Sequence, residues 1–168
     1  NPDDLYEATA DRYKKYAKAK KVLNVPAPVA IVYPESAGEV SEILRYCNAN
    51  GINVIPRSGR TSTEGGLENW KQQTLVVDGK NLNKIIKIDP YNLQATAQSG
   101  VVLQKLEDEV RKYNLTTGHS PQSKPVAQMG GLVSTRSIGQ FSTLYGAIED
   151  MVAGLECVFP DGHISHIK

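Results

Sequence analysis

The chain has 168 residues, the usual size of one domain and long enough for a sizeable hydrophobic core. Apolar residues make up 40% of it and charged residues 22%, which is ordinary for a soluble globular protein, and no window approaches the length of a membrane span. The formal net charge of +1 gives no electrostatic reason to expect nucleic acid or an anionic membrane as a partner.

A helix is predicted at the start of the chain, over residues 1–21 of an N-terminal region that ends at 25. Asn1 can cap it, Pro2 suits the first helical position, and Asp3 and Asp4 oppose the helix dipole. Its lysines indicate a solvated surface, because no aromatic residues interleave with them to stack on bases. The region lacks the apolar core of a signal peptide.

The next part of the chain is predicted to form a parallel β–α–β unit. Residues 29–33 are a short apolar run typical of a buried strand, and Ser36 and Glu39 have the spacing of a helix capping box. The helix ends at Gly51, and a second strand covers residues 52–55. Four residues at helical spacing indicate the side of the helix that faces the core: Val40, Ile43, Leu44 and Cys47.

The sequence PRSGRTSTEGG, residues 56–66, is called the glycine loop here. It leaves the carboxyl end of the second strand, where open α/β sheets bind ligands. Its glycines permit close backbone approach, and consecutive N–H groups can form an anion nest. The loop matches neither the Walker motif nor the Rossmann fingerprint, so the residues alone leave open a phosphate site or a plain connection.

Three further strands and a helix are predicted after the glycine loop. Residues 74–78 indicate a third strand, and residues 84–88 and 93–98 indicate antiparallel partners joined by a turn at 89–92. An amphipathic helix follows and ends near Asn114. Its apolar residues recur at helical spacing: Val102, Leu103, Leu106 and Val110.

A polar stretch over residues 116–128 leads into a second loop rich in glycine and hydroxyl groups. This stretch, MGGLVSTRSIG at residues 129–139, is called the downstream segment. Together with the glycine loop it suits an extended ligand, with a phosphate near one loop and rings near the other. The chain closes with two apolar runs about Pro160-Asp161-Gly162, which predict a hairpin.

The chain contains two cysteines, Cys47 and Cys157, without a CxxC spacing or a histidine cluster. Each is predicted to be a buried thiol rather than part of a disulfide or a metal site. Free thiols favour a reducing compartment, so a cytoplasmic location is predicted.

Seven motifs occur in an order that resembles a known family. They are PESAGEV at 34–40, PRSGRTS with EGG in the glycine loop, Ser99-Gly100, Pro121-x-Ser123, Met129-Gly130-Gly131, Tyr145-Gly146 with Asp150, and Phe159-Pro160-Asp161-Gly162. Over residues 26–168 the chain looks like the FAD-binding domain of the vanillyl-alcohol oxidase and para-cresol methylhydroxylase superfamily. That superfamily includes D-lactate dehydrogenases, glycolate oxidase subunits and alkyldihydroxyacetonephosphate synthase.

The resemblance implies an α+β, non-Rossmann FAD-binding fold. A small parallel β–α subdomain, residues 26–98, would pack on a second subdomain with an antiparallel sheet, residues 99–168, with FAD between them. Some relatives attach flavin to a histidine just after the glycine run; Thr61 stands there, so non-covalent FAD is expected. The family continues into a segment that completes the flavin site and a cap domain, so this chain is expected to be a fragment that is inactive alone.

By matched position, the resemblance also implies which residues hold the cofactor, with Pro56 through Ser62 cradling the pyrophosphate. No metal is expected. Glu156 and Val158 are expected to lie on a strand beside the cofactor and to have a structural role. The expected cofactor contacts are Pro56, Arg57, Ser58, Gly59, Arg60, Thr61, Ser62, Gln122, Ser123, Gln128, Gly130, Gly131, Thr135, Arg136, Ser137, Ile138, Gly139 and Tyr145.

Two positions of the glycine loop depart from the family, which usually has glycine where Ser58 and Arg60 stand. If either position needs a positive φ, a side chain there is strained by about 1 kcal/mol or more. Arg60 could offset that strain by pairing with the phosphates.

The family's chemistry is hydride transfer from a substrate carbon to flavin, with a base that accepts the hydroxyl proton. The sequence identifies no candidate for that base. His163 and His166 are predicted to serve the hairpin or the surface, His119 is either a loop residue or a ligand contact, and Tyr145 is either a core residue or a flavin or substrate contact.

The sequence is compatible with three functions. The first is an FAD-linked oxidoreductase acting on a small 2-hydroxy acid of the D-lactate or glycolate type. The second is a synthase-like flavoenzyme without net redox, suggested by VSTRSIG followed by YGAIEDMV. The third is a non-catalytic nucleotide-binding fragment. The predicted partners are a small substrate bound mainly by the cap domain and a protein or membrane-associated electron acceptor, with no nucleic acid and a homodimer left open.

Overall fold

The computed structural model of the chain describes residues 26–168. The helix predicted over residues 1–21 lies outside them. Within this range the chain divides into two compact units. The first comprises residues 26–57, 62–78 and 158–165, and the second comprises residues 58–61, 79–157 and 166–168.

The first unit contains the predicted parallel sheet. Its strands are β1 (Ala30–Val32), β2 (Asn53–Arg57) and β3 (Thr74–Asp78), and helix α1 (Ala37–Ala49) connects β1 to β2. All pairings are parallel, in the order β1-β3-β2, so β3 lies between the two strands of the predicted β–α–β unit. The prediction of parallel strands is therefore confirmed, with the third strand inserted at the centre.

Helix α1 begins and ends at the predicted residues. The Ser36 hydroxyl accepts a hydrogen bond from the Glu39 N–H at 3.2 Å, as a helix cap does. The Glu39 carboxylate, however, accepts from the N–H of Glu35 at 2.8 Å rather than from that of Ser36. Gly51 has φ +65°, as the predicted left-handed cap requires, and Cys47 is buried while the other predicted core residues of α1 are half-buried.

Strand β2 is at the edge of its sheet, which explains how it accommodates Pro56. Proline has no N–H to donate to a strand ladder, so it is found at sheet edges. Ile55 of β2 packs with Val76 of β3, and the half-buried Ile31 and Leu67 complete this small core.

The second unit contains an antiparallel hairpin that packs on a helix. Strands β4 (Ile85–Asp89) and β5 (Gln94–Ala97) pair as predicted, with the Asn92 N–H donating to the Asp89 carboxylate in the turn. The predicted amphipathic helix forms as α2 (Leu103–Arg111), with Val102 at its N-cap, and ends three residues before Asn114. Apolar residues of the hairpin contact α2 in one cluster, and both elements belong to the second unit. The subdomain boundary expected at residue 98 stays a prediction.

Three short helices follow in the second unit: α3 (Met129–Ser134), α4 (Ser142–Tyr145) and α5 (Ile148–Met151). The sequence predicts a loop where α3 forms. Adjacent glycines each cost a helix about 1 kcal/mol, but Leu132 is buried against residues of α2 and α5, and that packing stabilises the turn. The predicted terminal hairpin is confirmed as β6 (Leu155–Val158) and β7 (Ile164–Ile167).

The turn between β6 and β7 offers a test of close packing in the first unit. Gly162 has φ +82°, and a Cβ there would lie 2.8 Å from the Ser41 carbonyl oxygen of α1. We expect Gly162→Ala to lower the free energy of unfolding by about 2–3 kcal/mol, because strain at positive φ adds to the displacement of α1. Denaturant unfolding measures this loss.

Gly51→Ala is the matched control for that variant. Gly51 has a similar φ of +65°, but a Cβ there meets no atom within 4 Å. It should therefore show the backbone strain alone, about 1 kcal/mol. Equal losses in the two variants would contradict a role for the contact with Ser41.

Candidate functional site

The carboxyl ends of β2 and β3 carry a buried ion pair. Arg57 and Asp78 are register partners, and the Arg57 guanidinium donates to the Asp78 carboxylate through Nε and to the Tyr33 hydroxyl at 3.3 Å. Both charged side chains are less than a tenth exposed. The resemblance implies a cofactor contact for Arg57, and in the structure its guanidinium pairs with Asp78.

The second unit brings the glycine loop and the downstream segment together. Gly59 lies against the backbone of residues 126–128, so that a Cβ there would be 2.5 Å from the Val126 carbonyl oxygen and 3.0 Å from the Gln128 nitrogen. A Cβ on Gly131 would in turn collide with the Ser58 hydroxyl. The backbone contact at Gly59 needs glycine, whereas the Ser58 hydroxyl could turn away from a Cβ on Gly131. The two contacts place Ser58 and Gly59 beside Gln128 and Gly131.

The backbone of the glycine loop presents unused donors. Within residues 26–168, the N–H groups of Ser58, Gly59 and Thr61 have no protein acceptor. Arg60 between them has φ +55°, and alternation of positive and negative φ turns successive N–H groups toward one point, as in an anion nest. The strain predicted for a side chain at a glycine position is therefore found at Arg60 and not at Ser58.

Arg60→Gly separates that strain from any contribution of the guanidinium to binding. We expect the variant to gain about 1 kcal/mol in free energy of unfolding, because glycine adopts positive φ without steric cost. If the guanidinium pairs with phosphate, the same variant loses about tenfold in affinity for the dinucleotide. Thermal unfolding and ligand titration measure the two effects.

Leu93→Gly provides the control for Arg60→Gly. Leu93 has φ +54° in the turn between β4 and β5. The same gain in stability is expected there, with no change in ligand affinity. Unchanged affinity in both variants would show that the Arg60 guanidinium does not contribute to binding.

Gln128 lies at the centre of this arrangement with an unsatisfied acceptor. It forms an isolated bridge with Val102, and the flanking bonds from Leu103 N to Ala127 O and from Met129 N to Val101 O are both 2.9 Å long. Its Oε1 is buried and has no hydrogen-bond partner in the described part of the chain. A buried acceptor of this kind calls for a donor from a ligand or water.

The remaining residues of the downstream segment differ in how accessible they are. Thr135 donates its hydroxyl to the Gly131 carbonyl at 2.8 Å, and Arg136, at φ +51°, donates to Glu149 at 2.8 Å. Ile138 is 71% exposed. Gly130 donates its N–H to the Ser99 carbonyl at 2.7 Å, which fixes the start of α3.

His119 connects the downstream segment to the preceding loop. It is buried, its Nε2 lies 3.2 Å from the Ser137 hydroxyl, and its Nδ1 has no partner among residues 26–168. Burial, with the charge of Lys124, lowers the pKa of His119, so the ring is neutral at pH 7. Gly139 packs against Ser120 of the same loop.

The other predicted site residues lie nearer the surface. Tyr145 is 49% exposed and its ring lies against Gly118, so it is not a core residue. Gln122 is exposed and Ser123 is half-buried. Pro56 and Ser62 are exposed in the first unit, and both hairpin histidines, His163 and His166, are exposed as well.

Sequence reasoning missed one buried charge of this unit, Glu107. It lies on the buried side of α2, four residues after Leu103 and three before Val110. This helical spacing with apolar residues is the sequence signal that could have indicated its burial. Burial alone would raise the pKa of Glu107, but hydrogen bonds from Thr117 and Thr116 and the charge of Lys124 lower it to about 2. The stability it adds is thus present above its ordinary pKa of about 4.5 and is lost as the pH falls toward 2.

No group of histidine, cysteine or acidic side chains in residues 26–168 could hold a metal ion. The same residues include no helix with the length and hydropathy needed to cross a bilayer.

Comparisons with known proteins agree on one family. Residues 28–168 match the family model described as an FAD binding domain. The chain is 54% identical over 164 residues to an Escherichia coli protein named as an uncharacterized FAD-linked oxidoreductase, YgcU, covering 98% of this chain and 34% of that protein. It thus spans about a third of that relative.

Two other relatives represent the subgroups that the sequence suggests. Alkyldihydroxyacetonephosphate synthase of Caenorhabditis elegans is 38% identical, over 82% of this chain and 24% of that protein. The mitochondrial D-lactate dehydrogenase [cytochrome] 1 of Saccharomyces cerevisiae is 30% identical, over 99% of this chain and 31% of that protein. A solved alkyldihydroxyacetonephosphate synthase superimposes with a TM-score of 0.77 at 29% identity, covering 82% of this chain and 26% of the other.

Proposed function

The chain belongs to the FAD binding domain family, and on that premise we propose that it is the cofactor-binding part of an FAD-linked oxidoreductase that oxidises a small 2-hydroxy acid, such as D-lactate or glycolate. Bound FAD supplies the two-electron acceptor for such a reaction. The relative at 54% identity is named an FAD-linked oxidoreductase, and the D-lactate dehydrogenase matches nearly the whole chain.

The packing of Gly59 against residues 126–128 is the observation that carries cofactor binding. The same part of the chain holds the N–H groups of Ser58, Gly59 and Thr61, which have no protein acceptor within residues 26–168, and Gln128, whose buried Oε1 has no hydrogen-bond partner there. Backbone donors suit a pyrophosphate, and a buried acceptor suits a polar ring edge. These features fit FAD, with Ser58 to Thr61 at the phosphates and Gln128 nearer the rings. Thr61 in place of a histidine favours non-covalent binding.

The second candidate is a synthase-like flavoenzyme without net oxidation. The 38% identity to the alkyldihydroxyacetonephosphate synthase and the segment YGAIEDMV support it. The two candidates share the FAD site and differ in substrate.

Anaerobic reduction of the full-length flavoprotein tests the proposal. Mixing with D-lactate or glycolate should abolish the visible absorption of oxidised flavin. Retention of that absorption with every 2-hydroxy acid would overturn the proposed substrate class and favour the second candidate. A full-length protein that stays colourless after incubation with FAD would overturn the cofactor assignment.

We also propose a cytoplasmic location, which the cysteines support. Cys47 is a buried free thiol and Cys157 a half-buried one, as expected in a reducing compartment. The predicted electron acceptor and a homodimer stay predictions. Fractionation of cells that express the full-length protein checks the location.

A further inference from the structure

The carboxylate of Glu107 holds a loop to helix α2. It is 1% exposed, and its two oxygens accept hydrogen bonds from the loop that follows the helix. Thr117 donates its N–H at 2.9 Å and its hydroxyl at 2.6 Å, and Thr116 donates its hydroxyl at 2.9 Å. Arg111 lies at 2.8 Å and Lys124 at 3.5 Å.

The same helix holds the far end of that loop through its backbone. The N–H of Gln104 donates to the Lys124 carbonyl at 3.1 Å, and the N–H of Leu103 donates to the Ala127 carbonyl at 2.9 Å. Residues 118–123 are therefore tied to α2 on both sides, at 116–117 by Glu107 and at 124–127 by the first turn. This short stretch contains His119, Gln122 and Ser123.

A charged carboxylate suits this position better than an amide of the same shape. Glutamine would replace one acceptor oxygen with an NH₂ group, which faces donors on either side and cannot accept from them. It would also leave Lys124, whose side chain is only 17% exposed, without its buried counter-charge. The change therefore acts on the loop without opening a cavity.

We propose that Glu107 is a positioning residue for FAD: by clamping Thr116 and Thr117 to α2, it holds residues 118–123 in the conformation that presents Gln122 and Ser123 to the cofactor. The proposal rests on the assignment of this part of the chain to FAD binding. Glu107 itself touches no cofactor.

The test compares Glu107→Gln with Glu109→Gln in the full-length protein. Glu109 lies on the same helix and pairs with Lys112 at 2.7 Å, but its side chain is 38% exposed, against 1% for Glu107. Glu107→Gln is expected to raise the dissociation constant of FAD by about tenfold or more, measured by titration of the apoprotein. It should also speed amide hydrogen exchange at residues 116–123, and Glu109→Gln should match the wild type in both measurements.

Two further variants keep the test decisive if Glu107→Gln does not fold. Thr117→Val removes one hydrogen-bond donor to Glu107 and should raise the dissociation constant of FAD severalfold. Thr117→Ser retains the hydroxyl, so its dissociation constant should equal that of the wild type. Wild-type FAD affinity in folded Glu107→Gln, or in Thr117→Val where that variant is used, overturns the proposal.

The exchange measurement distinguishes this proposal from the assignment on which it rests. Hydrogen exchange is measured without FAD, so it shows whether Glu107 holds residues 116–123 even if the wild-type protein fails to bind the cofactor. In that case the cofactor assignment fails and with it the role toward FAD. Unchanged exchange at residues 116–123 in the variant overturns the clamp itself.

Discussion

Gly59→Ala is expected to weaken FAD binding by about a hundredfold, which corresponds to about 2.7 kcal/mol. A Cβ at this position would lie 2.5 Å from the Val126 carbonyl oxygen and 3.0 Å from both the Ala127 Cα and the Gln128 nitrogen. These neighbours are backbone atoms that cannot turn aside as a flexible side chain would. The loop must then move away from residues 126–128, and the N–H groups of Ser58, Gly59 and Thr61 are displaced with it. Titration of the full-length apoprotein with FAD measures the effect.

Gly66→Ala controls for the change from glycine to alanine in the same loop. A Cβ at Gly66 meets no atom within 4 Å, and its φ is not positive. FAD affinity and stability should stay at the wild-type level or rise slightly, because alanine restricts the unfolded chain. Equal loss of affinity in both variants would mean that the loop requires flexibility and not the contact with residues 126–128.

The elements of the first unit were predictable because their signals are local. Strand β3 has the predicted bounds, and Ser36 and Gly51 bound α1 through capping that depends on a few adjacent residues. The pairing of Arg57 with Asp78 was not predictable in the same way. This pair forms only because β3 lies beside β2 in the sheet. The hydrophobic pattern of each segment predicts a strand but does not predict which strands are neighbours.

The site shows the same division between local and long-range information. Glycines in the glycine loop and the downstream segment predicted two ligand-binding stretches, and the structure places Gly59 where the backbone of residues 126–128 leaves no room for a side chain. Helix α3 was missed because its glycines hide the burial of Leu132. Glu107 was missed because its donors lie nine and ten residues further along the chain. Contact of these residues with FAD stays a prediction.

The second large effect is expected at the buried ion pair. Asp78→Asn should lower the free energy of unfolding by about 3–5 kcal/mol, because it leaves the buried Arg57 guanidinium without its counter-charge. The exposed pair of Arg45 and Glu42 gives the control, and Glu42→Gln should cost less than about 1 kcal/mol. Denaturant unfolding distinguishes the two, and equal losses would contradict the importance of burial.

A double variant then decides whether Arg57 serves the strands or the phosphates. Replacing the pair with apolar residues, Arg57→Met with Asp78→Leu, should recover most of the stability lost in Asp78→Asn, because apolar side chains carry no desolvation cost. If the guanidinium only neutralises Asp78, this folded double variant binds FAD within about threefold of the wild type. A stable double variant that has lost FAD affinity would instead assign the Arg57 charge to the pyrophosphate. The geometry favours the first result, because Nε of Arg57 donates to Asp78 and a terminal nitrogen donates to Tyr33.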